Sequence, residues 1–176
     1  MTTCAPYPAI PIDLTKNTQI YPAIKTILKL IVEENVSNPK IQAEYIDKQK
    51  RLSFFSKNTA SITIAGYMDR IIKNVRLEES TLIIALIYID RVCEYNNIYL
   101  LDSNIHRVIF AGIIIAIKYN EDDYYSNKYY STVGGISIKE LCTLEYEFVK
   151  LLKYSLFINT DTYDKYKTYL INYYKK

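Results

Sequence analysis

Apolar residues recur at helical spacing through most of this chain, and in two stretches they fill a helix on every face. Ile64, Tyr67, Met68, Ile71 and Ile72 follow one another at intervals of three and four, the repeat of one face of an α-helix. A second helix is predicted over 79–94, apolar on nearly every face from Leu82 to Ile89. A third runs from a cap at Asp102 or Ser103 to about Lys118, apolar all round from Ile109 to Ile117. A helix without a polar face has to be enclosed by others, so two of them imply a layered helical core. Leu141, Leu144, Phe148 and Leu151 carry the spacing on to about Lys153. Ahead of them Ser137 and Glu140 read as a capping box, each side chain satisfying a backbone N–H at the helix start. Thr160 or Asp161 caps a last helix over 162–174. Near the front, Pro22 suits the first turn of a helix reaching about Glu34, with Ile24, Ile27, Leu28 and Ile31 on one face. Residues 35–39 break it, and 41–55 form a weaker amphipathic segment. Residues 1–19, with Pro6, Pro8 and Pro11, show no helical period and read as an arm. The polar, tyrosine-rich stretch 120–132 suits a short helix or turns, and Gly134 with Gly135 a tight turn.

Composition supports an all-α fold. The 176 residues include 4 glycines and 5 prolines, and no proline follows Pro39, so the turn residues that many short strands need are missing. Apolar residues make up 49% of the chain, enough to bury a core. The 19 tyrosines accompany an excess of Ile, Asn and Lys, residues with AT-rich codons, so they are poor evidence for a stacking surface. A formal charge of +3 from 22 basic and 19 acidic residues gives no argument for nucleic acid. Cys4, Cys93 and Cys142 have no metal-ligand spacing, and the latter two are expected to be buried small hydrophobes in a reducing compartment. The apolar runs 82–89 and 108–117 are shorter than the about 18 residues of a membrane span. The front of the chain lacks the basic and apolar blocks of a signal peptide. These features predict an intracellular protein, nuclear, cytoplasmic or both, with no membrane partner.

The chemistry-bearing residues are few. The apolar run 113–117 ends abruptly in Lys118 and is followed by Glu121, Asp122 and Asp123. A lysine in a last helical turn complements the helix dipole, and Glu145 taken alone is one polar residue of an amphipathic helix. Together, two opposite charges at the edges of apolar surfaces suit docking better than catalysis. Asp90 closes the run 82–89, where a carboxylate is costly unless paired, and Arg70 or Arg91 could serve it. His106 is the only histidine and lacks the accessories of a catalytic base. No phosphate loop, nucleophile motif or metal set occurs. No catalytic residue, metal or cofactor is therefore expected, and an enzyme is the least favoured reading.

In order along the chain stand Leu86-Ile87-Tyr88-Ile89-Asp90-Arg91, Asn104-Ile105-His106-Arg107, Ala116-Ile117-Lys118-Tyr119, the tyrosine-rich stretch 124–130, Val133-Gly134-Gly135-Ile136-Ser137, Glu140-Leu141, Leu144-Glu145 and Phe148. This series resembles a cyclin box, and the tyrosine-rich insert ending in Val-Gly-Gly resembles in particular the P/U-type cyclins. The resemblance covers about 59–158. It implies a single five-helix box over 58–160, flanked by an arm and helices over 1–57 and a C-terminal helix over 161–176. It also implies a partner, a cyclin-dependent protein kinase whose regulatory C helix is contacted by Lys118 and Glu145, with Phe148 taken as part of the same site. Glu121 and Asp122 match an acidic pair that would meet basic residues of the kinase activation segment. The phosphorylated substrate would be a third protein. Where cell-cycle cyclins pair the equivalent of Asp90 with an arginine, Ser61 stands here, which makes Arg70 the expected structural partner. The chain is also too short after Ile158 for a second box. Two other readings compete: a cyclin-fold adaptor that activates nothing, and a transcription-factor-like module that binds protein or nucleic acid.

Overall fold

The computed structural model describes residues 20–44, 50–75 and 77–174; the predicted arm 1–19 lies outside them. Among the described residues there are eight helices and no strand. The first, α1 (Ile20–Ser37), buries Ile20, Ala23, Ile24, Leu28 and Val32. It runs further than the pattern suggested, through Asn35, because Asn35 faces the fold and donates its amide to the Leu100 carbonyl at 3.1 Å. Only Asn38 interrupts it before α2 (Pro39–Glu44), where Pro39 takes the first position and Asn38 Oδ1 accepts from Lys40 N. Of the expected amphipathic segment 41–55, residues 41–44 are helical, 45–49 lie outside the described residues, and 50–54 are turns and a bend, with Phe54 in the core. Phe54 meets Phe148 edge to face, with centroids 6.0 Å apart.

The centre is built by α3 (Ile64–Asn74), α4 (Glu79–Asn96), α5 (Ile105–Asn120), α6 (Asn127–Gly134) and α7 (Ile138–Leu151). As the pattern required, α5 is enclosed: every residue from Val108 to Ile117 is buried. It packs on α4, α7 and α3. Gly112 marks its tightest approach, since an added Cβ would lie 2.9 Å from Ile89 Cγ1 on α4 and 3.2 Å from Phe148 Cζ on α7. A methyl group there would separate three helices at once. The last helix, α8 (Thr160–Tyr174), closes over α1 and α4 and buries Leu170.

Two predicted caps are replaced by neighbours one or two residues away. Asn104, not Asp102 or Ser103, precedes α5, and its side chain spans the loop from the Leu101 N–H to the Tyr99 carbonyl. Asn159 Oδ1 accepts from Thr162 N at the start of α8. Ser137 caps α7 as expected, accepting from Glu140 N at 3.1 Å. Glu140 does not reach back, because its carboxylate binds Arg107 of α5 at 2.8 Å. The Gly134–Gly135 turn is the end of α6. Gly135 holds φ +71° there, and Tyr67 and Arg70 donate to the Gly134 and Thr132 carbonyls.

The expected Asp90–Arg70 pair does not form. Arg70 is committed to the end of α6, and Asp90 accepts from the Tyr166 hydroxyl of α8. Asp90 lies on the outward side of α4 and is exposed, so the burial cost that called for a cation is absent. Arg91 instead donates to the Ser155 and Phe157 carbonyls, and Tyr88 to that of Leu156, pinning the 152–159 loop onto α4. His106 donates to the Ile62 carbonyl at 2.9 Å and stacks edgewise on Tyr67, a packing role. Cys142 is exposed, not buried as expected, because it sits on the outer side of α7; Cys93 is half-buried. No described helix is long and apolar enough to cross a membrane.

Candidate docking site

The end of α5, the start of α6 and the middle of α7 meet at one place on the surface. The apolar α5 run has to stop where the helix emerges from the core, and Lys118 is the first side chain past that limit. On α7, Leu141, Leu144 and Phe148 face the core. Glu145, one residue on from Leu144, is turned about 100° from it toward the same rim. The two charges form an ion pair with each other. Lys118 keeps a quarter of its side chain exposed, whereas Glu145 is more enclosed, at 13%. Glu145 Oε1 is sealed from solvent and meets the Lys118 ammonium without the alignment of a good hydrogen bond.

A third residue completes the arrangement. Asn127, the first residue of α6, accepts from the Lys118 ammonium through Oδ1 and donates through Nδ2 to Glu145 Oε2 at 2.7 Å. The same amide nitrogen lies 3.4 Å from Cys142 Sγ. Asn127 does not cap its own helix; Ser126 does that, accepting from Tyr129 N. Sequence reasoning passed over Asn127, since nothing in a run of tyrosines and polar residues marks one amide as facing two charges.

Around this triad α7 exposes two large apolar side chains among polar ones. Ile138, on the same side as Cys142, is 46% exposed, and Tyr146 is 66% exposed. Below it the tyrosine-rich insert is ordered by its own rings: Tyr125 and Tyr129 lie 4.4 Å apart, and the Tyr130 hydroxyl accepts from Tyr125 N. Burial pushes the Tyr130 hydroxyl up to about 12, so it stays a neutral structural group at any physiological pH.

Two expected docking residues have other positions. Phe148 is fully buried between Phe54 and Gly112, so it supports the rim from beneath and presents nothing to a partner. Glu121 accepts from Thr81 Oγ1 at 2.6 Å and from Glu78 N at 3.3 Å, where it caps the start of α4 in place of the uncapped Glu78 side chain. A carboxylate at that end also opposes the positive pole of the helix. Asp122 beside it is exposed.

A charged triad beside exposed Ile138 and Tyr146 can hold a partner in register while those side chains supply burial. The comparisons with known proteins agree in kind. The chain is 31% identical over 151 residues to Cyclin-U2-1 of Arabidopsis thaliana, covering 85% of this chain and 68% of that protein. It is 34% identical over 131 residues to the PHO85 cyclin-like protein psl1 of Schizosaccharomyces pombe, covering 73% and 54%. It is 28% identical over 168 residues to PHO85 cyclin-7 of Saccharomyces cerevisiae, covering 85% and 59%. The cyclin family model matches residues 19–156, a span that runs from α1 through the pinned loop after α7. The chain therefore belongs to the cyclin family, and to its P/U-type branch.

Proposed function

We propose that this chain is the regulatory subunit of a cyclin-dependent protein kinase, which it binds and activates by docking the kinase C helix. The observation that carries this reading is the convergence of Lys118, Asn127 and Glu145 at the rim of α7, beside exposed Ile138 and Tyr146. The relatives named as PHO85 cyclins support it. The C helix of an inactive kinase is displaced, separating the lysine and glutamate that position ATP phosphates. A surface that binds only the inward position shifts the kinase population toward it. The cyclin supplies no reacting group, and the hydroxyl that is phosphorylated belongs to a third protein. Asp122, exposed just past the end of α5, would meet a basic residue of the kinase activation segment. Glu121, hydrogen-bonded to α4, is left out of this proposed contact.

The test is a tagged pull-down of wild type and Glu145→Ala from the source cell, with kinase activity measured on the beads. The expected result is a co-purifying, active kinase that the variant loses. An inactive kinase retained by the wild type would replace activation with an adaptor role. No kinase at all beside a folded, abundant cyclin would overturn the reading.

A further inference from the structure

We infer that Asn127 is the positioning residue of the docking pair: a bridge that fixes Lys118 and Glu145 before any partner arrives. This rests on the docking role proposed above. The residue type follows from the chemistry of its two neighbours. One needs an acceptor and the other a donor, and a short carboxamide offers the two on separate atoms, one toward each neighbour. Its orientation is fixed by the same logic, since the opposite flip would set the NH2 against the ammonium and the oxygen against the carboxylate. An aspartate would satisfy Lys118 and repel Glu145. An alanine would leave Glu145 Oε2 without its donor and release one anchor of the lysine.

The location argues the same way. Lys118 and Glu145 stand on two different helices, and a lysine on four rotatable bonds would sample many rotamers if the carboxylate alone held it. Asn127 enters from a third helix and clamps both ends of the pair. The capping work at the start of α6 is done by Ser126, so the Asn127 side chain has no local task to explain it. The tyrosine-rich insert thus gains a purpose: the stacked rings of Tyr125, Tyr129 and Tyr130 hold α6 so that its first residue faces the pair. Tyr129 further ties α6 to α3, donating to the Asn74 carbonyl at 2.7 Å.

Two measurements on Asn127→Ala test this. The first is the order of the Lys118 ammonium in the free cyclin, followed by nitrogen NMR. The second is the affinity for the cyclin-dependent kinase that copurifies with the wild type. Lys118 should be ordered in the wild type and mobile in the variant, with affinity reduced about tenfold, as for a lost hydrogen bond to charged groups. Asn127→Asp, isosteric with the native residue, should keep Lys118 ordered but expel the Glu145 carboxylate, and adding Glu145→Gln should bring side chain 145 back to the bridge in side-chain NMR, because the swap returns one donor and one acceptor. A purely structural role for the amide in α6 would not be rescued by a change on α7. An ordered Lys118 in Asn127→Ala overturns the inference, as does unchanged affinity in that variant where Glu145→Ala loses the kinase. Wild-type affinity in Glu145→Ala sinks the docking reading instead, and the bridge then stands or falls on Lys118 order alone.

Discussion

Single side chains carry opposite loads in this molecule. Glu145→Ala and Lys118→Met each remove half of a largely desolvated pair, and each should weaken kinase binding by about 2–5 kcal/mol in a calorimetric titration. Lys118→Glu is a poorer test, because the new carboxylate would face Glu145 and unsettle the free cyclin as well. At the other end of α6, Gly134→Ala should destabilise the fold by about 1–3 kcal/mol in urea unfolding, since the added methyl would overlap the buried ring of Phe110. Lys118 was marked in the sequence by ending an apolar run, whereas Glu145, one polar residue of an amphipathic helix, was singled out by the resemblance to a cyclin box. Neither Asn127 nor the capping role of Glu121 was legible there. Their roles exist only where chain segments 9 to 43 residues apart meet, and their local surroundings are polar in any case.

Among the helices, the enclosed α5 was legible from its lack of any polar face, and the amphipathic α7 from its spacing. What the pattern missed was where helices begin. Short polar residues cluster ahead of α5 and α8, and the choice among Asp102, Ser103 and Asn104, or Asn159, Thr160 and Asp161, is decided by loop hydrogen bonds that tertiary packing sets. The start of α4 shows the same dependence, because its cap is a glutamate from the far end of α5. Glu121→Ala should therefore cost about 1 kcal/mol and speed hydrogen exchange in the first turn of α4 while leaving α7 unchanged. A loss of kinase binding without that local change would return Glu121 to the interface.

For the whole molecule, the buried tyrosines set an alkaline limit. Burial pushes the hydroxyls of Tyr67, Tyr88 and Tyr130 up to about 12, above the 10 of an exposed phenol. The folded state holds those protons more tightly than the unfolded chain does. Their contribution to stability should be full below pH 10 and be lost between about 10 and 12, and Tyr67→Phe should make the fall shallower in melting curves taken across that window. Leu170→Ala, by hollowing the seat of α8 on α1 and α4, should cost about 2–5 kcal/mol in the same melting assay.

The enclosure of α5 reaches beyond stability. Lys118 directly follows ten enclosed residues, Val108 to Ile117, so the surface it serves has little freedom to mould itself around a visitor. Adaptation on contact must then fall to the visitor. A partner that meets this face has to fit a template already set, and whatever ordering the contact requires falls on the partner's side.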